Sequence, residues 1–350
     1  MKIIAWPAYR NKHENPYTYL LYWHMRQYGI LVEEASGSNL LHQYYDIFHV
    51  HWPIEFTLKY HNHNLFTALV RSISLLGLID WMRARGTRVV WTFHDEQPRD
   101  IPYRKLVAWL ESRFMYRVDG YISLSQIGKA RAEELFPILK ERPNAIVPHG
   151  HYREVYSNEV SLEFARSQLE IPQDHRLIVF FGQIRPYKNV PLLIRIFREL
   201  SPDKWMLAIV GRPSTPEIQR EVLELCENDP KIKLFLGLIP DKKVQIYLNA
   251  SDLIVLPFQE ILNSGSTLLA LSFNRPVLVP RKGVMAELQA QVGKDWIRTY
   301  PGELTTEVLW ETLAWVVHTP RSPQAPLDEL DWSRLSWKTL EAYKLVCGLQ

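Results

Sequence analysis

Residues 176–200, RLIVFFGQIRPYKNVPLLIRIFREL, contain one complete strand–loop–helix unit. The β-branched and aromatic run Arg176–Phe181 is typical of a buried strand, and Gly182 ends it. After a polar loop, Val190–Leu200 predicts a helix. A strand followed by a helix of about ten residues or more is the repeating unit of a parallel α/β sheet.

The same alternation extends in both directions from this unit. Further strands are predicted at 2–8, 45–52, 87–93, 120–124, 145–148, 205–210, 232–236, 253–257 and 276–280. Further helices are predicted at 16–28, 65–85, 103–116, 125–135, 217–228, 241–250, from 267 onward and at 332–347. The pattern predicts an α/β fold with doubly wound parallel sheets.

The chain has 350 residues, which is more than one ordinary compact domain contains. A polar stretch of irregular pattern, 149–174, separates the two α/β series. The sequence therefore predicts an N-terminal domain over 1–160 and a C-terminal domain over 161–330, followed by an amphipathic closing helix within 331–350.

Composition excludes several classes of protein. With 41 basic and 38 acidic residues the net charge is only +3, so no strong field favours nucleic acid. Cys226 and Cys347 lie far apart and lack the spacing of a metal site, which predicts reduced thiols in a cytoplasmic protein. We expect no signal peptide, and no stretch approaching the roughly 20 apolar residues that span a bilayer.

The loop of FFGQIRPYKN lies where parallel sheets bind ligands, beyond the carboxyl end of a strand. Gly182 permits close approach of the backbone, and the cations Arg185 and Lys188 converge where a diphosphate would bind. Alternatively, this is a solvated basic loop.

The stretch NSGS interrupts two apolar runs and consists of Asn263, Ser264, Gly265 and Ser266. If a helix begins here, the exposed backbone amides and the helix dipole favour an anion such as phosphate. The alternative is that Asn263 or Ser264 caps the helix, a role that is compatible with phosphate binding.

Acid–base candidates follow two strands of the first half. His94, Asp95 and Glu96 come directly after the predicted strand 87–93, which favours acid–base chemistry on a substrate hydroxyl. Glu14, in the loop after the first strand, is a further candidate to face an acceptor. Alternatively, the first cluster is a loop or the acidic first turn of a helix, and Glu14 belongs to a plain helix start.

His49 and His51 share one face of a predicted strand. Their spacing would suit a metal, but no third ligand is apparent, so we expect hydrogen-bonding roles and no metal site.

Taken together, these residues resemble the GT-B-fold glycosyltransferases, in which two Rossmann-like domains face each other across a cleft. Strand–Gly–x–x–Arg–x–x–Lys at 178–188 is similar to that family's donor-diphosphate motif. GLIPDKKVQIYLNASDLIVLPF at 237–258 is similar to its helix followed by A-D-hydrophobic-Pro. The likeness is strongest to family 4-like and xanthan-type β-mannosyltransferases of exopolysaccharide synthesis, and in the first half it rests on TFHDE and NPYTYLLYW.

The resemblance implies a hexosyltransferase that moves mannose from GDP-mannose, or a hexose from a UDP-sugar, to a glycan or lipid-linked acceptor. It implies no cofactor besides the nucleotide-sugar donor, and a last helix that packs back on the N-terminal domain. The span 81–131 contains ten Lys or Arg against five Asp or Glu, which favours contact with the inner membrane leaflet. An ordinary solvated helix face is the alternative.

One position departs from the family pattern. Retaining family 4 members carry two glutamates, the second opening an E-A-hydrophobic helix, whereas here Leu269 precedes Ala270. Glu260 lies next to the expected first position and is assigned to the sugar hydroxyls. The departure favours inversion, with Asp95 as the first choice of base and then Glu96, His94 and Glu14.

Two other functions remain open at this level. A sugar-nucleotide 2-epimerase shares the fold and needs no acceptor. A catalytically silent relative that binds nucleotide-sugar or glycan would also account for the replaced glutamate.

Overall fold

A computed structural model of the chain describes residues 1–13, 15–58, 64–95, 103–227 and 229–349. The chain forms two compact units. The first unit comprises Met1–Gly150 together with Leu330–Gln350, and the second comprises His151–Glu329. Each unit contains a six-stranded parallel sheet surrounded by helices.

The sheet of the first unit has the strand order β2-β1-β3-β4-β5-β6, and all pairs are parallel. Its strands are β1 (Ile3–Trp6), β2 (Val32–Glu34), β3 (Ile47–Val50), β4 (Arg88–Phe93), β5 (Gly120–Ser123) and β6 (Asn144–Ile146). β1, β3 and β5 are buried along their whole length, as expected for parallel strands covered on both faces. The strand order reverses between β1 and β3, where doubly wound sheets bind ligands at the carboxyl edge.

Six helices connect these strands. They are α1 (Tyr17–Met25), α2 (Gly37–His42), α3 (Pro53–Leu58), α4 (Leu65–Ala84), α5 (Arg104–Met115) and α6 (Gln126–Leu135). Side-chain caps begin several of them: Asn64 accepts from the Thr67 amide at α4, and Ser125 accepts from the Gly128 amide at α6. Short 3₁₀ turns lie at Arg26–Tyr28 and Pro137–Glu141.

Helix α4 corrects one expectation from the sequence. Its 20 residues are long and apolar enough to cross a membrane by length and composition, although no such stretch was expected. One face packs into the first unit through Ala68, Ser72, Leu75, Leu76, Ile79 and Met82. Because α4 connects β3 to β4 within one sheet, it lies on this unit and does not leave it.

The sheet of the second unit has the order β12-β11-β10-β7-β8-β9 and is also parallel throughout. Its strands are β7 (Arg176–Phe181), β8 (Trp205–Gly211), β9 (Ile232–Leu236), β10 (Leu253–Val255), β11 (Val277–Pro280) and β12 (Ile297–Tyr300). Its helices are α7 (Leu162–Gln168), α8 (Val190–Leu200), α9 (Pro216–Cys226), α10 (Asp241–Ala250), α11 (Gly265–Ser272), α12 (Met285–Val292) and α13 (Thr306–His318). Further 3₁₀ turns lie at Pro186–Lys188 and Asp328–Leu330.

The last helix, α14 (Trp332–Cys347), belongs to the first unit and packs against α1. The Ser336 hydroxyl donates to the Leu21 carbonyl at 2.7 Å. Trp332 is fully buried, and its ring would be 2.3 Å from a Cβ at Gly150, so any larger residue at 150 would displace it.

Several predicted spans agree with the structure, among them β7, α8, β9, α10 and α14. The stretch 149–174, expected to be irregular, contains α7. The sequence of α7 looks polar because one of its buried residues is the charged Arg166. The Arg166 guanidinium donates to the Ala250 carbonyl and, at 2.7 Å, to Asp252. Six other elements, β2, α2, α3, α12, β12 and α13, were not predicted.

Candidate active site

The candidate anion site lies in the second unit, at the reversal point between β7 and β10. The loop after β7 carries Arg185 and Lys188, and the loop after β10 leads to NSGS at the start of α11. The Gln259 amide donates to the Tyr187 carbonyl at 2.8 Å, which joins the two loops directly. Strand order therefore brings together two motifs that are far apart in sequence.

Gly182 is the point at which the two motifs meet. A Cβ on this residue would lie 3.2 Å from Lys188 Nζ and 3.3 Å from Ser266 Oγ. Its φ of +134° is a backbone conformation that favours glycine. The ammonium group and the hydroxyl therefore both lie close to the half-buried backbone at Gly182, an arrangement that suits close approach of a phosphate.

Ser264 caps α11 by accepting from the Thr267 amide at 3.1 Å. The amides of Gly265 and Ser266, in the first turn, donate to no other residue within the described ranges. These two amides and the positive end of the helix dipole remain for an anion, so capping and anion binding coexist here. The hydroxyl oxygen of Tyr152 would be 2.9 Å from a Cβ on Gly265. No sequence pattern pointed to Tyr152.

The electrostatics of this site are dominated by two cations. Burial, and secondarily repulsion from Arg185, lowers the pKa of the mostly buried Lys188 to about 8. Arg185 is exposed, and neither side chain forms an ion pair with any residue in the described part of the chain. Two adjacent positive charges with no carboxylate to balance them favour an anionic ligand.

The remaining predicted donor residues line the loop after β10. Glu260 is exposed, Asn263 is half-buried, and both have interactions within the structure. Leu269, which occupies the position of the second family glutamate, is buried within α11. This helix therefore offers an apolar side chain where retaining relatives offer a carboxylate.

In the first unit, His94 and Asp95 follow β4 at the carboxyl edge of the sheet. His94 is buried and Asp95 is exposed. The other two candidate bases, Glu14 and Glu96, lie outside the described residues.

A chain of buried hydrogen bonds leads to His94. Thr92 Oγ1 lies 2.7 Å from His49 Nε2, and His49 Nδ1 lies 2.8 Å from the Tyr22 hydroxyl. That hydroxyl lies 2.5 Å from His51 Nε2, and His51 Nδ1 lies 2.9 Å from His94 Nε2. Sequence reasoning had placed His49 and His51 on one strand face but missed Tyr22, which comes from α1.

His49, His51 and His94, the three histidines of this hydrogen-bonded series, are neutral at pH 7. Burial lowers the pKa of His49 to about 3 and holds the pKa values of His51 and His94 well below their usual range. All four ring nitrogens of His49 and His51 are engaged in hydrogen bonds. Among the described residues, no group of three His, Cys, Asp or Glu side chains is arranged to hold a metal.

Comparison with known proteins places these observations in a family. The model of the family described as "Glycosyl transferases group 1" matches residues 162–292. The GDP-mannose:glycolipid 4-beta-D-mannosyltransferase of Xanthomonas campestris pv. campestris is 30% identical over 343 residues, which cover 97% of this chain and 90% of that protein.

Solved structures show the same fold at lower sequence identity. A glycosyltransferase from Rickettsia africae has a TM-score of 0.64 at 15% identity, covering 98% of this chain and 97% of that one. Anabaena Alr3699/HepE in complex with UDP has a TM-score of 0.62 at 14% identity, covering 99% of each chain.

Proposed function

The chain belongs to the glycosyltransferases of the GT-B fold, and we propose that it transfers mannose from GDP-mannose to a lipid-linked glycan. The donor and acceptor follow from the name of the Xanthomonas relative, which matches nearly the whole chain. A UDP-sugar is the alternative donor, and a GT-B relative has been solved with UDP.

The observation that carries this proposal is the pair Arg185 and Lys188 beside Gly182, Gly265 and Ser266. The two cations form no ion pair with a carboxylate among the described residues. The two first-turn amides of α11 add positive partial charge to the same site. A nucleoside diphosphate supplies the negative charge that such a site binds. As the sugar departs, charge grows on the terminal phosphate, and these fixed donors stabilise it.

The reaction proposed is an inverting displacement that needs no metal. GDP-mannose carries its sugar in α linkage, so a β product requires the acceptor hydroxyl to attack from the opposite face. Arg185 and Lys188 supply the positive charge that a divalent cation provides in other transferases. Glu260 is assigned to the sugar hydroxyls. Asp95 is the proposed base that takes the acceptor proton, ahead of Glu96, His94 and Glu14.

Transfer is tested with GDP-mannose and a lipid-linked oligosaccharide, with the anomeric configuration of the product read by NMR. A β-mannoside supports the proposal, and an α-mannoside refutes inversion. Formation of an epimerised sugar nucleotide without acceptor would instead identify a 2-epimerase. Tight GDP binding without any turnover would identify a silent binding protein.

Arg185→Ala and Asp95→Asn test donor binding and acceptor chemistry separately. Loss of this cation should weaken GDP binding and turnover together, whereas Asp95→Asn should reduce turnover by about 10²–10⁴-fold with GDP binding retained. Isothermal titration with GDP and initial rates of transfer measure the two effects. Unchanged GDP affinity in Arg185→Ala would remove the diphosphate assignment, and near-full turnover in Asp95→Asn would remove the base.

We further propose that the protein works at the cytoplasmic face of the inner membrane and rests on it through α4. The α4 stripe consists of Leu65, Phe66, Leu69, Val70 and Ile73, all exposed. Phe66 is 73% and Ile73 54% exposed, and their spacing places them on one side of the helix. An exposed apolar face of this length marks an interaction surface.

The position of the α4 stripe fits a lipid surface near a lipid-linked acceptor. α4 and α5 run antiparallel to the strands they connect, so both begin at the carboxyl edge where His94 lies. Arg117 donates to Asp80 at 2.7 Å, which joins the two helices near their carboxyl ends. Exposed Arg104 and Lys105, at the start of α5, form no ion pair within the described ranges.

These cations beside an apolar stripe match a bilayer that contains anionic lipid. Fewer cations of the basic span 81–131 remain for lipid than its composition suggests, because several of them form ion pairs within the first unit. Examples are Arg83 with Asp119 and Arg131 with Glu134.

Flotation with phosphatidylcholine vesicles, with and without phosphatidylglycerol, tests this surface. Phe66→Ser should reduce binding, and the loss should be larger than for Leu238→Ser, an 83% exposed residue of the second unit. Equal binding by both variants would refute the membrane role. If Phe66→Ser instead converts a dimer to a monomer in light scattering, the stripe binds a second copy and the proposal is wrong.

A further inference from the structure

The buried chain Thr92–His49–Tyr22–His51–His94 has no role in donor binding, yet it places five polar groups in an apolar interior. All five residues are at least 93% buried: their exposures are 1%, 0%, 0%, 1% and 7% in that order. Three structural elements or their ends contribute to it, since Tyr22 comes from α1, His49 and His51 from the end of β3, and Thr92 and His94 from the end of β4. A buried polar network is stabilising only when every donor meets an acceptor.

That requirement fixes how hydrogens are distributed along the chain. Each neutral imidazole carries one ring hydrogen, so it donates at one nitrogen and accepts at the other. Tyr22 also carries one hydroxyl hydrogen, because burial raises its pKa well above the usual range.

The Tyr22 hydroxyl lies between two ring nitrogens, His49 Nδ1 and His51 Nε2. If it donates to His51 Nε2, His51 carries its hydrogen on Nδ1 and donates to His94 Nε2, so the hydrogen of His94 is on Nδ1. If it donates instead to His49 or to the Tyr343 hydroxyl, with which it also forms a hydrogen bond, His51 donates back to Tyr22, and His94 must donate from Nε2 to His51 Nδ1. The direction of one hydroxyl therefore determines the tautomer of His94.

The ring of His94 is also held in place by stacking. Trp52 packs against it with ring centroids 4.4 Å apart and planes 25° apart, and Tyr17 meets it edge-on at 4.9 Å. These two contacts restrict the orientation of the imidazole, so the position of its ring hydrogen is the main variable left.

We propose that Tyr22 and His51 are positioning residues that hold His94 in a single tautomer, and so decide whether its Nδ1 is a hydrogen-bond donor or an acceptor. This inference rests on the proposed glycosyl transfer, in which His94 follows β4 at the ligand-binding edge. It adds to that reaction two residues that do not touch the substrate.

Two tyrosines of the chain provide a matched pair of variants. Tyr22 and Tyr343 are both fully buried, and both hydroxyls lie within 2.8 Å of His49 Nδ1, at 2.8 Å and 2.6 Å. Only the Tyr22 hydroxyl also reaches His51. A purely structural role of these hydroxyls predicts similar effects for Tyr22→Phe and Tyr343→Phe.

The tautomer is read from the ¹⁵N shifts of the ring nitrogens in ¹⁵N-histidine-labelled protein, with the His94 signals identified by their loss in His94→Gln. We expect a single tautomer in the wild type and in Tyr343→Phe, and a mixture in Tyr22→Phe. The kcat of transfer should fall at least about tenfold in Tyr22→Phe, within the range that one acid–base group contributes. The KM for GDP-mannose should stay unchanged, because the proposed donor residues lie in the second unit.

A wild-type tautomer in Tyr22→Phe, or equal losses of kcat in the two tyrosine variants, would overturn the inference. If Tyr22→Phe does not fold, His51→Gln is measured instead. The introduced amide reaches Tyr22 but forms no hydrogen bond with His94, so this variant should give the same mixture of His94 tautomers. Absence of transfer by the wild-type protein would refute the proposed function, while the ¹⁵N shifts would still decide whether Tyr22 controls His94.

Discussion

Raising the pH from 7.5 to 9 should weaken GDP binding about eightfold, because the ammonium group of Lys188 is lost over this range. Burial and the nearby Arg185 lower the pKa of this lysine to about 8. If only the charged form binds diphosphate, the apparent Kd equals the intrinsic Kd divided by the charged fraction, which falls from about 0.75 to about 0.1. Ordinary lysines, with a pKa of about 10.4, stay charged over the same interval.

The assay is isothermal titration of the protein with GDP at constant ionic strength, from pH 7.5 to 9.5. The terminal phosphate of GDP is fully ionised throughout, since the second pKa of such groups is about 6. The sign is fixed: affinity falls as pH rises through the pKa of Lys188 in the free protein. UDP should show the same slope, since both nucleotides carry the diphosphate.

Two substitutions isolate the lysine. Lys188→Arg keeps a charge that does not titrate below about pH 12, so its affinity for GDP should be flat over this interval. Lys188→Met should bind GDP weakly at every pH. A wild-type Kd that changes less than twofold, or a Lys188→Arg variant with the wild-type slope, would refute the placement of Lys188 at the diphosphate.

Three further outcomes follow from the structure. Gly182→Ala and Gly237→Ala introduce side chains at φ of +134° and +139°, so both should lower the melting temperature through backbone strain of about 1–3 kcal/mol. Only Gly182→Ala should also weaken GDP binding in calorimetry, because a Cβ at Gly237 has nothing within 4 Å. Burial raises the pKa of Glu111 to about 7, so its ionisation destabilises the fold as pH rises from about 4.5 towards 8. Glu111→Gln should therefore raise the melting temperature at pH 8 but not at pH 4, and an equal shift at both pH values would contradict this cause. Burial lowers the pKa of His49 to about 3 and of His149 to about 4, so urea unfolding should show stability lost as pH falls below about 6.5. Each histidine contributes up to about 2 kcal/mol of this loss by pH 5, and unchanged stability over that interval would show that folding does not lower the pKa of these rings.

Local pattern was enough to predict much of the fold. Strand β7, the loop with Arg185 and Lys188, and helix α8 are specified by adjacent residues, because apolar periodicity and glycine placement act within a few positions. The same short-range logic identified NSGS as a helix start, where Ser264 indeed caps α11. The local residue pattern did not predict α7, because this helix buries the charge of Arg166, which is balanced by Asp252, a residue far away in sequence.

The candidate site could be predicted only in part, for a related reason. Sequence identified the two cations and the glycine–serine turn separately. Only the strand order of the second unit places β10 beside β7 and so brings Ser266 to the same glycine that Lys188 approaches. Tyr152, which lies over the first turn of α11, belongs to no motif.

The sequence by itself determined the alternation of strands and helices, the division into two α/β series and the residue types of the candidate anion site, since each depends on neighbours in the chain. Only the tertiary structure decided which groups have shifted pKa values and which form buried hydrogen bonds. Burial moves the pKa of Lys188 towards neutrality, and burial keeps His51 and His94 uncharged. Tyr22 reaches the histidines, which follow strands β3 and β4, from helix α1. Desolvation and hydrogen bonding depend on what surrounds a group in space, which no local pattern of residues records.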